Sequence, residues 1–477
     1  MIDTSRATTA TALAAALLLG GCSFIPTYER PTAPVPATFA GAGAEAGAAE
    51  QAASAVPWQD YFAEPRLRQL IETALANNRD LRIAALNIDQ ARATFQVRRA
   101  DLYPGVGLAA NASRAPAAGS GDLTNSFSVG LAVSAWEIDF FGRIASLKEQ
   151  ALAQYLATEE GRNAAQVSLV AAVANGWLNL LADEELLELS RQTLASREES
   201  VRLTKMRLDS GVASELDFRQ AESLAHAARA TLAQQQRQRA LDENALALLL
   251  GQPLPDDVRT SLAGSRLGAA PVMAPLPAGL PSQLLTRRPD VRQAEQQLIA
   301  ANANIGAARA AFFPRISLTA QAGTASGELS GLFKNGSWGF TIAPSLLLPI
   351  FDAGRNQANL ESAQAGRSIA VAQYEKAIQT AFREVSDALA GQATLGEQAQ
   401  AQQQQAQAES ARLQLADLRY RNGVASYLDL LDAQRSLFAA QQAVVQVQLA
   451  RLQNQVALYK ALGGGAGNSA AAADTPS

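Results

Sequence analysis

Residues 126–136, SFSVGLAVSAW, alternate strictly: Phe127, Val129, Leu131, Val133 and Ala135 are separated by Ser126, Ser128, Gly130, Ala132 and Ser134. That period of two is the signature of a β-strand. RISLTAQAG (315–323) and SWGFTIAPSLLL (337–348) repeat the pattern, and 104–112 repeats it more weakly. Both faces are nearly uncharged, which suits strands with lipid on one side and a polar lumen on the other; edge or sandwich strands are the alternative. Four such strands cannot close a membrane barrel, and lipid does not tolerate open edges, so spanning strands would have to be pooled by several copies of the chain.

The period then changes. Segments at about 65–100 and 289–312 read as helices, and no proline interrupts Arg143 to Ser210 or Arg355 to Asn422. A continuous helix of that length would extend roughly 100 Å. Val173, Leu180, Leu187, Leu194, Val201 and Leu208 recur every seven residues, as the seam of a coiled-coil contact does. Shorter helices are expected to return over about 214–250 and 426–461. In the second of these Phe438, Val445, Leu449, Leu452, Val456 and Tyr459 follow a 3–4 spacing. Much of the remaining helical surface is Ala and Gln, as in QAQAQQQQAQAES (398–410). Helices packed edge to edge around a hollow cylinder would carry such wet faces.

Two tight turns are spelled almost alike, RLDSGVASELDFRQAE (207–222) and RYRNGVASYLDLLDAQ (419–434). Gly211 and Gly423 suit the left-handed residue that closes a helix. Ser214 and Ser426 suit the N-cap of the next helix, with Asp217 and Asp429 at its third position. Ala213 with Phe218, and Ala425 with Leu430, have the spacing of a weak hydrophobic staple. Each turn therefore makes antiparallel neighbours of its two helices and carries no nucleophile–base pair.

The turns lie inside a larger duplication: 98–115 matches 308–325, DFFGR (139–143) matches FDAGR (351–355), and LLLG (248–251) matches YKALG (459–463). The first repeat spans 63–262, with a strand pair in 102–138, a long helix 142–210 and a return helix 214–250. The second spans 289–462, with a strand pair in 314–350, a long helix 354–422 and a return helix 426–461. Residues 263–288 are a Pro-rich linker, 22–62 an N-terminal extension, and 463–477 a tail expected to be disordered.

Composition narrows the function. Of 477 residues only 18% are charged and 6% aromatic, with a formal net charge of −4, so nothing favours nucleic acid. No run of 18 or more apolar residues follows the N-terminus, which argues against a transmembrane helix in the mature chain. Residues 1–21 read as a signal peptide, with the apolar stretch ATALAAALLLGG (10–21) behind Arg6. It ends at Cys22, the sole cysteine, in LGGC, which resembles a bacterial lipobox whose cysteine is acylated; Ser23 follows rather than the aspartate of an inner-membrane retention signal. No disulfide can staple the fold. Catalysis has no support: His226 is the single histidine and sits in a helix-type stretch, and no phosphate-binding glycine loop or metal-ligand set occurs. No cofactor is expected beyond the covalent lipid on Cys22.

VPWQDYFAEPRLRQLIETALANNRDLRIA (56–84), WEIDFFGR (136–143), PIFDAGR (349–355), the two GVAS-x-LD turns and LYKALGGG (458–465), with GCSFIPTYERP after the signal, resemble the TolC-like outer-membrane efflux proteins, in the lipoprotein branch serving resistance-nodulation-division (RND) pumps. The resemblance covers nearly the whole mature chain. It implies a mixed fold: a homotrimer whose four strands per chain form one twelve-stranded barrel in the outer membrane, continued by a periplasmic α-helical barrel with a mixed equatorial region. It further implies a passive duct completed by a periplasmic adaptor (membrane fusion) protein and an inner-membrane RND pump. Gly211, Val212, Ser214, Leu216 and Asp217, with Gly423, Val424, Ser426, Leu428 and Asp429, would be the tips that meet the adaptor. Leu413, Asp417, Arg419, Tyr420 and Arg421 would form the periplasmic gate, with 413, 417 and 421 on one helix face. Type I protein secretion remains an alternative within the duct class, and a lipid-anchored coiled-coil adhesin or spacer is the alternative outside it.

Overall fold

The computed structural model describes residues 23–36, 39, 56–116, 121, 123–267 and 288–464. The signal peptide, Cys22, most of the Pro-rich linker and nearly all of the tail lie outside these residues. Contacts divide the chain into two compact units. One comprises 1–33, 86–160 and 292–376, and the other 34–85, 161–291 and 377–477.

The first unit contains the sheet. Strands β1 (Val106–Pro116), β2 (Leu123–Ile138), β3 (Arg315–Ser326) and β4 (Trp338–Leu347) pair antiparallel in the order β1-β2-β3-β4, so the two repeats meet at β2–β3. The register places Leu108 beside Leu131, Val133 beside Ala320, Ala322 beside Phe340, and Ala320 beside Ile342. One face is therefore apolar. The other carries Asn111, Ser128, Gln321 and Thr341, with no charge along its middle. Gly130 pairs with Gly323 at the seam, where a Cβ on either would lie within 2.4 Å of its neighbour's backbone.

The alternation seen in sequence stops at Val133, where a bulge intervenes and the register resumes at Trp136 opposite Leu318. The bulge supplies one extra residue, and Ala135, expected on the apolar face, takes φ 47° instead. Trp136 and Ile138 continue the apolar face, opposite Leu318 and Ile316.

Each strand pair leads into a helix of 67 residues, α4 (Arg143–Asp209) in the first repeat and α8 (Arg355–Arg421) in the second. The DFFGR and FDAGR motifs start these helices: Asp139 Oδ2 accepts from the Ala145 N–H at 2.7 Å, and Asp352 Oδ2 from the Asn356 N–H at 2.9 Å. Arg143 also grips Glu137 through two hydrogen bonds of 2.8 and 2.6 Å, and Arg315 reaches the same carboxylate at 2.6 Å. The base of β2, the base of β3 and the start of α4 are thereby tied to one buried acid.

The second unit holds the larger core. α1 (Trp58–Tyr61), α2 (Pro65–Asn77), α5 (Glu215–Leu250), α6 (Asp256–Leu262) and α9 (Tyr427–Ala461) contribute to it. Tyr61, Phe62, Leu70, Ile71, Trp177, Leu246, Leu250, Leu262 and Tyr459 are almost wholly buried. Tyr61 stacks on Tyr459 at 4.2 Å, and the Trp177 indole N–H donates to Glu64 at 2.8 Å, so the segment VPWQDYFAE (56–64) is a clasp on α4 and α9. The single helix expected over 65–100 is broken. Asn78 donates to the Leu249 carbonyl and accepts from the Leu81 N–H, both at 2.9 Å, and thereby caps the start of α3 (Arg79–Ala100).

One 18-residue window of α4 has mean hydropathy 1.3, enough for a membrane span, but half of it is buried against the protein itself, as in a core helix. The 36-residue α5 and 35-residue α9 return alongside the long helices, and α7 (Pro289–Ala310) leads into β3.

Asp183 on α4 is buried and faces Asp242 on α5, with Arg239 and Glu184 nearby. Burial first, then the hydrogen bond and charge of Asp242, push the Asp183 carboxyl up to about 7. A raised acid holds a proton in the folded state that the unfolded chain releases, so it favours folding at low pH and loses that contribution as pH rises through about 7. The unfolding temperature of the detergent-purified protein is expected to fall as pH rises from about 4 to about 7 and then level off, and Asp183→Asn to flatten that slope. An unchanged slope in the variant would show that other groups cause it.

Candidate functional site

The two turns have the same backbone. Gly211 and Gly423 both take φ 72°, a conformation that would strain any other residue. In the first turn the Gly211 N–H donates to Leu208 O at 2.9 Å and the Val212 N–H to Arg207 O at 2.8 Å; in the second, Gly423 donates to Tyr420 O and Val424 to Arg419 O, each at 3.0 Å. These bonds satisfy the last carbonyls of α4 and α8. Ser214 and Ser426 then cap α5 and α9 with full capping boxes. The Asp217 N–H donates to Ser214 Oγ at 3.1 Å and the Ser214 N–H to Asp217 Oδ2 at 3.2 Å; the corresponding distances for Ser426 and Asp429 are 3.2 and 3.0 Å. Hydrogen bonds from Ser426 hold the Asp429 carboxyl below its ordinary range.

With the polar residues of each turn absorbed by capping, the apolar ones are left outside. Val212, Leu216, Val424 and Leu428 are 77%, 66%, 66% and 59% exposed. Four large apolar side chains held outward on hydrogen-bonded turns form a preorganised contact surface.

Above the turns the two hairpins of the chain pack on one another. Ala221, Tyr427, Leu430 and Leu431 form a buried cluster, against which Val201, Leu224, Leu413, Ala416 and Tyr420 pack. Of the five gate candidates, Leu413 and Tyr420 thus turn into this cluster. Asp417 pairs with Arg421 at 2.9 Å on the same helix, with side chains 38% and 71% exposed. Arg419 gives its carbonyl to the second turn. The structure adds a partner that the sequence did not single out: Arg207 on α4 donates to the Tyr420 hydroxyl at 2.7 Å, with its guanidinium 5.0 Å from the ring centroid. Tyr420 in turn leans on Tyr427 at 5.3 Å.

A second feature also escaped the sequence reading. The heptad seam of α4 is apolar and buried at Val173, Leu180 and Leu187, but toward the turn the buried positions become Ser190, Arg197 and Thr204, again spaced by sevens. Arg197 donates to Gln434 and Thr204 to the Tyr427 hydroxyl, and 427 and 434 are themselves seven apart. Arg197 is 5% exposed and has no carboxylate partner among the described residues; burial lowers its pKa. The signal was present in the seven-residue spacing, but a periodicity search keyed to apolar residues passes over it.

Among the described residues no group of three His, Cys, Asp or Glu side chains could hold a metal ion.

Comparison with known proteins gives consistent matches. The model of the family "Outer membrane efflux protein" matches residues 70–252 and 280–464. The toluene efflux pump outer membrane protein TtgC of Pseudomonas putida is 47% identical over 458 residues, 94% of each chain. A crystal structure of a membrane protein from Pseudomonas aeruginosa superposes with TM-score 0.84 at 43% identity, covering 93% of this chain and 97% of that one. The MtrE outer membrane channel of Neisseria gonorrhoeae, in its open state, does so with TM-score 0.83 at 42% identity, covering 93% and 98%.

Two substitutions test the packing described above. Ser426→Ala should cost about 1 kcal/mol of stability through the lost cap. Arg197→Met should raise the unfolding temperature, because an apolar side chain of similar length relieves a buried, unpaired cation. Thermal unfolding of the purified protein reads both, and a destabilised Arg197→Met would mean that the guanidinium is better compensated than its contacts indicate.

Proposed function

This chain belongs to the outer membrane efflux protein family, and we propose that it works as the trimeric outer-membrane duct of a tripartite pump, carrying small molecules delivered by a periplasmic adaptor and an inner-membrane RND transporter. The observation that carries this reading is the four-stranded sheet with β1 and β4 as unpaired edges. Twelve strands from three chains close a barrel in which no edge meets lipid. A lumen face of Ser, Thr, Gln, Asn and small residues then provides a polar bore without charge selection.

The family is one of efflux proteins, which supports a duct for small molecules over protein secretion, an adhesin or an enzyme. The naming of one relative for toluene favours small apolar compounds as cargo. In this reading Val212, Leu216, Val424 and Leu428 form the six-tip docking ring of the trimer, held by Gly211, Ser214, Asp217, Gly423, Ser426 and Asp429. Leu413, Asp417, Arg419, Tyr420 and Arg421 form the gate, with Arg207 as the outer partner of Tyr420. Cys22 carries the lipid that anchors the chain.

The detergent-purified, lipidated protein should run as a trimer somewhat under the roughly 150 kDa of three full chains, since each chain of 50.1 kDa loses residues 1–21 on processing, and conduct in planar bilayers; a non-conducting monomer would end the duct reading. Asp417→Ala and Tyr420→Phe should each raise the resting conductance, and unchanged current in both would remove the gate assignment. Leu216→Asp with Leu428→Asp should leave the trimer intact but abolish export in cells that carry the pump. Full export by that double variant would move docking away from the tips.

A further inference from the structure

Residues 24–30 lie along α7 as an extended strap, all within the first unit. Arg30 grips the buried Glu295 carboxylate through bonds of 2.7 and 2.9 Å, and the Tyr28 hydroxyl donates to the same group at 3.0 Å. Asn302 donates to the Pro26 carbonyl at 2.7 Å, and Arg309 to the Phe24 carbonyl at 3.3 Å. Gly306 leaves a slot shared by Ile25 and by Ser146 of α4, since a Cβ there would lie 2.6 Å from Ile25 Cγ1, 2.6 Å from Ser146 Oγ and 2.9 Å from the Ile25 backbone nitrogen. The Phe24 ring then stacks on Phe313 at 4.6 Å, and Phe313 on Phe141 at 5.0 Å.

The contacts advance in one direction, 30 with 295, 26 with 302, 25 with 306 and 24 with 309 and 313. Their lengths also agree. Six residues of extended chain cover about 20 Å, and the 14 helical residues from Glu295 to Arg309 rise about 21 Å. The strap is therefore taut, without slack between its two ends. It finishes beside Phe313 and Phe141, one at the entry to β3 and the other at the entry to α4, two residues downstream of Cys22.

We propose that residues 24–30 are a tether of fixed length, which delivers the anchored N-terminus to the foot of the sheet and makes assembly of the barrel depend on that length. The proposal rests on Cys22 being the acylated residue. Its partner is the lipid surface: acyl chains attached two residues before Phe24 enter the bilayer beside the foot of β3 and leave that foot no freedom to drift from the membrane surface. A loose tether would hold the chain to the membrane equally well, but would not hold the sheet at its insertion level.

Two variants of the full-length protein, exported with its own signal, separate these possibilities. Inserting Gly-Gly between Ser23 and Phe24 keeps every strap contact and adds about 7 Å of slack. Gly306→Val fills the slot and should expel Ile25, exposing the bond between Tyr28 and Glu29 to chymotrypsin about tenfold more readily. Valine in the helix is not itself the cause, and Gly306→Ala controls for it: alanine stabilises an isolated helix relative to glycine, so faster cleavage in that variant also reports the slot. Both the insertion and Gly306→Val should carry the same acyl mass as the parent chain, yet place several-fold less assembled oligomer in the outer membrane. A normal acyl mass with parental assembly in the insertion variant overturns the tether alone. A parent chain without acyl mass overturns the anchor at Cys22 and the tether with it, while chymotryptic protection at Tyr28 still reports whether the strap is docked.

Discussion

The constraint on which the rest depends is the row of backbone N–H and C=O groups along the free edges of β1 and β4. In water such edges are solvated; in the hydrocarbon of a bilayer each unpaired group costs several kcal/mol, so they must find partners from other chains. The sheet of a single chain has no internal solution, because its order is β1-β2-β3-β4 and the strands between the edges are already paired on both sides. The order also joins the two sequence repeats through β2 and β3, at the Gly130–Gly323 approach. The duplication thus produces one continuous sheet per chain, and the chemistry of its free edges decides that function belongs to an assembly.

The helices follow from the same logic at the other end of each repeat. A strand pair that must meet lipid on one face leads into a helix that meets water on much of its surface, and the transition needs a firm joint. Glu137, shared by Arg143 and Arg315, supplies one, and the caps by Asp139 and Asp352 fix where each long helix begins. Below the aromatic clasp of Tyr61, Phe62, Trp177 and Tyr459 the buried seam turns polar, at Ser190, Arg197 and Thr204. Polar seams specify register while giving up stability. The part of the hairpins nearest the tips is therefore fixed in register but held together less strongly.

The legibility of this molecule in its sequence divides along physical lines. Strands, long helices and tight turns are local: alternation along β2, the absence of proline through α4 and α8, and the GVAS-x-LD spelling each report their own structure. The break at Asn78 was not legible, because its cause is a carbonyl at Leu249, 171 residues away. The bulge at Ala135 was hidden likewise, since it is defined by where β3 resumes pairing. At the candidate site Ser214, Asp217, Ser426 and Asp429 are readable as caps, whereas the Arg207–Tyr420 bond joins positions 213 residues apart. The strap was visible only as part of the family motif GCSFIPTYERP, and its docking partner on α7 was not. Its register depends on a glycine on α7 and on stacking between aromatic residues nearly three hundred positions apart.

The duplication itself offers a way to separate two roles at the tips. At an offset of 212, Arg207, Gly211, Val212, Ala213, Ser214, Leu216, Asp217 and Ala221 recur as Arg419, Gly423, Val424, Ala425, Ser426, Leu428, Asp429 and Ala433. These residues make the turn, its caps and its exposed apolar surface, so a partner meeting either tip meets the same shape. The neighbouring positions differ. Lys205 and Asp209 stand where Asp417 and Arg421 do, the same i,i+4 ion pair with its signs reversed, and Leu208 and Glu215 stand where Tyr420 and Tyr427 do. A single ring of six equivalent tips requires sameness, and a gate in which one hairpin moves against the other requires difference. The repeat is the same over the exposed surface of the turns, and it diverges at Tyr420 and Tyr427, which pack between the two hairpins.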